Sequence, residues 1–223
     1  MQDYDASIYE KMSVAVDLLT FTIEDDRLKV LVVNREEEPF AGLNALPGVF
    51  VGIDETLDAA VKRGINEETG LKDIYYEQLY TFGDVDRDPR MRIISVAYMA
   101  LVPLEKLKFK AGKRTRSVML MDVEDLISSD EELAFDHKKI VEYARWRLAN
   151  KTMYTDIAFH LVEERFTLPE LQKVYEILLG KKLYKANFRK KVMDMIEETE
   201  FMTSGDAHRP SRYYTRIKDR PVK

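Results

Sequence analysis

Leu46-Pro47-Gly48-Val49-Phe50-Val51-Gly52-Ile53-Asp54-Glu55 runs into Thr56-Leu57-Asp58-Ala59-Ala60-Val61-Lys62-Arg63-Gly64-Ile65-Asn66-Glu67-Glu68-Thr69-Gly70-Leu71, and this stretch decides the fold. It reads as a loop feeding a helix. At about 100° per residue, Leu57, Ala60, Val61 and Ile65 make one apolar stripe, with Thr56 placed as the N-cap and Asp58 in the first turn. Glu68 falls in the middle of that stripe, where a carboxylate needs a partner, because burying an unpaired charge is costly. Glu67 lies to one side and reaches back to Arg63, four residues earlier.

The pattern resembles the Nudix box, in which a glycine and a glutamate precede Arg-Glu-x-x-Glu-Glu-x-Gly and an aliphatic residue. Glu55, Arg63, Glu67, Glu68, Gly70 and Leu71 match in register, and Leu46-Pro47-Gly48 matches the usual lead-in. Two positions depart from it: Val49 stands at the first glycine and Gly64 at the first glutamate of the Arg-Glu pair. In the family that glutamate is a principal Mg²⁺ ligand, paired one turn later with the glutamate matching Glu68. Carboxylates at i and i+4 share a helix face and can share a divalent ion, whereas glycine offers no side-chain oxygen. The resemblance therefore implies a preserved fold with a vestigial catalytic set (Glu55, Arg63, Glu67, Glu68) and a metal site, at Glu67 and Glu68, that is weak or lost.

Outward from the box, Met12 to Ile23 and Leu28 to Val33 read as strands joined in a hairpin through Glu24-Asp25-Asp26-Arg27. Further strands are expected at Ile74 to Phe82, Ile93 to Val102 and Ser117 to Asp122. A helix from His137 to about Leu148, capped by Asp136, closes the first module. Asp86-Arg87-Asp88-Pro89-Arg90 lies between the two middle strands and by composition alone is a charged turn. A segment of this kind, followed by a strand like Ser95-Val96-Ala97-Tyr98, is similar to one found in Nudix proteins that handle ADP-ribose and in a regulator offshoot of them. That resemblance implies Arg35, Arg87 and Arg90 as contacts for a diphosphate or ribose, the guanidinium fork being suited to such oxygens.

The tail follows a short polar joint, Asn150-Lys151-Thr152, after which Ile157 to Glu164 reads as a helix. Thr167-Leu168-Pro169-Glu170 is a capping box with proline near the start of a helix that buries Leu171, Val174, Tyr175 and Leu178 and ends at Gly180. After a turn, a helix from about Lys185 to Glu198 buries Phe188, Val192, Met195 and Ile196, turns Ala186, Asn187 and Lys190 outward, and carries Arg189 and Lys191 on its flanks. Strands at Glu200 to Thr203 and Tyr213 to Ile217 bracket a loop containing Arg209 and Arg212. Helix, turn, helix and hairpin is the order of a winged helix-turn-helix. Six basic residues, Lys181, Lys182, Lys185, Arg189, Lys190 and Lys191, fall within eleven positions of it. Lys182, Asn187, Arg189, Lys190, Lys191, Arg209 and Arg212 are therefore the expected contacts to double-stranded DNA.

Composition agrees with two modules. The 223 residues carry 35 Lys and Arg against 40 Asp and Glu, a net charge of -5. Residues 1–150 hold 20 basic and 29 acidic residues and residues 151–223 hold 15 and 11, so an acidic front, -9, precedes a basic tail, +4. There are no cysteines, which excludes disulfides and thiol chemistry, and three dispersed histidines show no ligand spacing. No run has the length of a membrane span and no apolar signal opens the chain, so a cytoplasmic location with no membrane partner is expected.

Together the two modules resemble the Nudix-related transcriptional regulators. The expectation is an α+β chain: a Nudix α/β/α sandwich over residues 1–150 that senses ADP-ribose or a related nucleotide or sugar metabolite, then a winged helix-turn-helix over 151–223 that binds an operator. A homodimer needing no cofactor is implied, with Mg²⁺ possible at the weakened site. The competing reading is a Mg²⁺-dependent hydrolase of the ADP-ribose pyrophosphatase type, and a weaker one is an RNA-binding accessory protein.

Overall fold

β1 (Ser13–Glu24) is the strand on which everything else is laid, because its two faces are buried under different layers. Val16 and Leu18 face α1 (Leu57–Thr69), meeting Ala60, Val61 and Ile65, while Leu19 and Phe21 face the opposite side with Ile140, Val141 and Ala144. The alternation follows from the two-residue period of a strand. This computed structural model describes residues 8–71, 73–107, 115–204 and 210–217, without the side chains of 68, 115 and 116.

Among the described residues the large sheet has seven strands: β2 (Arg27–Arg35), β3 (Asn44–Ala45), β4 (Gly48–Phe50), β5 (Tyr75–Phe82), β6 (Ile93–Leu101) and β7 (Thr115–Asp122) join β1. The order is β3-β2-β1-β6-β5, with β4 also on β1 and β7 also on β2. β1 and β6 run parallel, Ser13 opposite Ile93 through Phe21 opposite Leu101, and every other pairing is antiparallel. β1 and β2 turn through Asp25 and Asp26, both at positive φ (50° and 62°), the conformation of a type I′ hairpin. α2 (Val123–Ser128) and α3 (His137–Tyr154) cover the face opposite α1, completing the α/β/α sandwich.

In the tail, β8 (Phe166–Thr167), α4 (Leu168–Leu179), α5 (Lys185–Val192), β9 (Ile196–Met202) and β10 (Arg212–Arg216) make a winged helix with a small sheet ordered β8-β10-β9. The fold is thus α+β, a sandwich followed by a winged helix. α4 starts at the expected capping box, Thr167 N–H donating to Glu170 Oε2 at 2.7 Å, and ends at Gly180 with φ 64°. One apolar cluster runs without interruption from Leu19, Phe21 and Val30 of the sandwich to Phe166, Leu171, Tyr175, Phe188 and Tyr214 of the tail. Among the described residues no helix is long and apolar enough to cross a membrane.

Several elements differ from the sequence expectation. α3 does not stop near Leu148 but continues through Asn150, Lys151 and Thr152 to Tyr154, with Leu148 and Thr152 fully buried on its inner face. Residues 157–161 form a 3-10 turn rather than a helix to Glu164. α5 ends at Val192 and the chain is already strand at Ile196, because antiparallel pairing of Ile196 with Arg216 and of Glu198 with Tyr214 outweighs the helical spacing of Val192, Met195 and Ile196. α2 has no counterpart in the sequence reading; its cap is Asp122, whose side chain accepts the N–H of Asp125 at 3.0 Å.

Candidate ligand site and nucleic-acid interface

The box helix is built as its sequence requires. Thr56 Oγ1 accepts the N–H of Ala59 at 3.1 Å, and Gly70 closes the helix at φ 70°. Arg63 is the organiser. Its Nε and Nη2 each donate to Glu55 at 2.9 Å and its Nη2 also donates to the Phe50 carbonyl at 2.9 Å, so the helix holds both β4 and the following loop. Hydrogen bonds from Arg63, and then the N–H of Gly52, lower the Glu55 carboxyl to a pKa of about 2. The expected Arg63–Glu67 pair is present but longer, 3.7 Å.

Gly64 is buried against β1, where a Cβ would come within 2.7 Å of Leu18 Cδ1 and 3.4 Å of Val49 Cγ2. Position 64 is therefore filled by neighbouring methyl groups. The side chain of Glu68 lies outside the described residues. The described donors do not fit the divalent ion of an intact box: position 64 supplies no oxygen, Glu55 is occupied by Arg63, and Glu67 leans toward the same arginine. No group of three or more His, Asp or Glu among the described residues is arranged to hold a metal.

The three arginines expected at a ligand separate by environment. Arg87 is buried, 7% exposed, and its guanidinium is spent inside the protein: Nε and Nη2 donate to Asp136 at 3.1 and 2.7 Å, and Nη2 also donates to Asp17 at 3.0 Å. Burial disfavours this charge, but Asp136 and Asp17 outweigh it and hold its pKa above the usual value. Asp136 is consequently not the side-chain cap expected of it; it makes no capping hydrogen bond to α3. Asp17 also accepts from Ser95 Oγ at 2.5 Å and lies 3.6 Å from His137 Nε2. His137 is fully enclosed, accepts the Leu46 N–H on Nδ1 at 2.9 Å, and is kept neutral by burial. The proton of the neutral ring is therefore on Nε2, toward Asp17. Gly48 is required here, since a Cβ would meet Asp17 Oδ1 at 2.7 Å. Sequence reasoning missed Asp17, Ser95, Asp136 and His137 as partners; the signal available was Asp17, the one charged residue between Ser13 and Ile23 of β1.

Arg35 and Arg90 are the accessible pair. Their guanidinium carbons lie 4.8 and 5.5 Å from the centroid of the Phe135 ring, and Arg90 also lies 5.8 Å from that of Phe50. Arg90 is clamped by Asp88 through Nε (3.0 Å) and Nη2 (2.7 Å), and Arg35 is fixed by the carbonyls of Pro39 and Glu37 at 2.9 and 3.1 Å. Burial and then the charge of Arg90 lower the pKa of Arg35. Phe40 and Phe135, which meet edge to face at 4.9 Å, both sit at positive φ (68° and 60°), a strained conformation for a bulky residue. Arg35 and Arg90, two guanidiniums beside one aromatic ring, bring together the positive charge and the N–H donors that an anionic group requires.

In the tail, Ala186, Asn187, Arg189 and Lys190 of α5 are exposed together while Phe188 and Val192 are buried. Lys182 is exposed and pairs with Glu176 at 2.9 Å, and Arg212 on β10 pairs with Glu198. Lys191 differs from expectation. Its Nζ turns inward, donating to the carbonyls of Thr152 and Met153 at 3.2 and 3.1 Å and lying 4.9 Å from the Tyr175 ring centroid, and burial lowers its pKa. Arg209 lies outside the described residues.

Comparison with known proteins extends over nearly all of this architecture. Residues 13–144 match the NUDIX domain, and residues 158–215 match the NrtR DNA-binding winged helix domain. The ADPR responsive transcriptional repressor NtrR of Acinetobacter baylyi is 34% identical over 218 residues, covering 96% of this chain and 86% of the relative. The crystal structure of Shewanella oneidensis NrtR complexed with a 27mer DNA aligns with TM-score 0.80 at 35% identity, over 92% of this chain and 93% of that one. The NUDIX domain of the same Shewanella protein, complexed with ADP ribose, aligns with TM-score 0.57 at 36% identity, over 66% of this chain and 94% of that one. The ADP-ribose pyrophosphatase of Methanocaldococcus jannaschii is 40% identical over 141 residues, 63% of this chain and 78% of the relative.

Proposed function

The chain belongs to the Nudix family, in the branch that carries an NrtR-type winged helix, and from that premise we propose that it is a cytoplasmic, homodimeric transcriptional regulator whose sandwich senses ADP-ribose and whose α5 reads an operator. The observation that carries this reading is the exposed face of α5, Asn187, Arg189 and Lys190, on a winged helix fused to a sandwich whose box has glycine at position 64. Asn187 and Lys190 are assigned to base edges, and Lys182, Arg189 and Arg212 to the DNA backbone. Arg35 and Arg90 are assigned to the diphosphate of the ligand. No metal is required in this scheme.

The enzyme reading keeps one point of support, the identity shared with the Methanocaldococcus pyrophosphatase. One set of measurements separates the two. Gel shifts on duplexes that the protein selects from genomic fragments, with and without ADP-ribose, should give a salt-sensitive, sequence-selective complex that ADP-ribose weakens. Asn187→Ala should reduce affinity by about 1–3 kcal/mol on the selected duplex and far less on a scrambled one. Incubation of ADP-ribose with the protein and Mg²⁺ should release negligible AMP; rapid release of AMP, with equal loss on both duplexes, would reverse the assignment.

A further inference from the structure

The helix α3 is held at both ends by residues that belong to other functional elements. At its start, Asp136 takes both Arg87 Nε and Nη2, and the next residue, His137, accepts the N–H of Leu46 from the box lead-in. Arg87 stands three residues before Arg90, and Asp88 between them clamps Arg90 through both carboxylate oxygens. At its end, the carbonyls of Thr152 and Met153 receive Lys191 Nζ. Capping of terminal carbonyls by a lysine is ordinary; here, however, the lysine comes from α5, the helix that also carries the exposed Asn187, Arg189 and Lys190, with Asn187 one turn before it. Between these ends lie 18 residues with no glycine or proline, a rod of about 27 Å, with Ile140, Val141, Ala144 and Leu148 locked into the core. Such a rod moves as a unit rather than bending.

Resting on the assignment of the cleft and of α5 made above, we propose that α3 transmits occupancy of the Arg35–Arg90 cleft to the DNA-reading helix, with Asp136 and Lys191 as the positioning residues at its two ends. A phosphate drawn to Arg90 acts on Asp88 and on the loop that carries Arg87. Arg87 cannot move without Asp136, because their contact is buried and bidentate. α3 delivers the displacement at Thr152 and Met153, and Lys191 passes it to α5. Neither Asp136 nor Lys191 touches either ligand, so their loss should leave both separate affinities in place and reduce only the dependence of one on the other.

The test uses the full chain and three variants, Asp136→Asn, Lys191→Met and Lys191→Arg. ADP-ribose affinity is read by calorimetry and duplex affinity by anisotropy, with and without saturating ADP-ribose. In Asp136→Asn and Lys191→Met each separate affinity should stay within about threefold of the parent, while the fall in duplex affinity caused by ADP-ribose shrinks about tenfold. Lys191→Arg, which keeps the cation at the α3 carbonyls, should restore the fall. A fall of parental size in both Asp136→Asn and Lys191→Met overturns the proposal. Should the parent show no fall at all, the functional assignment fails, and hydrogen exchange without ligand then decides the mechanical link. Asp136→Asn should speed amide exchange at 185–192, and unchanged rates there overturn the proposal by themselves.

Discussion

Arg87 and Arg90 stand three residues apart in one charged turn and have opposite fates. Arg87 is enclosed with Asp17 and Asp136, whereas the Arg90 side chain is 40% exposed and pairs with Asp88. Breaking a buried pair strands the remaining charges, so Arg87→Ala should cost about 3–5 kcal/mol in urea unfolding. Arg90→Ala should cost less, about 1–3 kcal/mol, because it leaves the buried Asp88 carboxylate with the backbone N–H of position 90 as its remaining hydrogen bond, while removing ligand affinity. A large stability loss for Arg90→Ala, or none for Arg87→Ala, would exchange their roles. Sequence could nominate both arginines but not divide them, because what separates them is Asp17, seventy positions away on β1. Lys191 repeats the lesson. Its place in a lysine run suggested a solvated, phosphate-seeking side chain, and only the approach of α3 to α5 turns it inward.

Where the elements are concerned, legibility followed local chemistry. The α4 start was fully readable, because a capping box is a reciprocal bond within four residues: Glu170 N–H to Thr167 Oγ1 at 3.4 Å and Thr167 N–H to Glu170 Oε2 at 2.7 Å. Removing one half of it, Thr167→Ala, should cost about 1 kcal/mol, seen as a lower urea midpoint with an unchanged slope; a changed slope would mean that the winged helix unfolds separately. The box helix was equally readable from Thr56 and Gly70. Ends fixed by distant pairing were not. β9 begins at Ile196 because β10 is there to meet it, and α3 runs to Tyr154 because its last turns stay packed, neither of which is written in the local spacing.

For the molecule as a whole, the histidines give the sandwich and the tail a common pH response. His160 is stacked on Tyr75 of β5 at 4.0 Å and lies 3.3 Å from Arg216 of β10; burial, and then the Arg216 charge, lower its pKa to about 4. A histidine held below its unfolded value of about 6.5 is neutral in the fold and takes up a proton on unfolding, so its contribution is complete above that pH and is lost as pH falls toward 4. Glu55 and Glu176, both near a pKa of about 2, are lost only at lower pH, because their stabilisation persists above the ordinary carboxylate range. Urea unfolding between pH 7 and 5 should therefore show a decline of roughly 1–2 kcal/mol after allowance for the solvent reaching His160. His160→Gln should reduce it without abolishing it, because His137, also held neutral by burial, titrates in the same direction, and a slope unchanged by that substitution would place the titration at His137 alone. The uninterrupted core has a consequence for engineering. A chimera that borrows the reading head of a relative cannot be spliced at residue 150, inside α3, without cutting a helix whose last turn the new head must seize with its own lysine. The graft has to bring α3 with it, together with the surface of the sandwich on which α3 rests. The sandwich and the winged helix are therefore inherited here as one parcel rather than exchanged as cassettes.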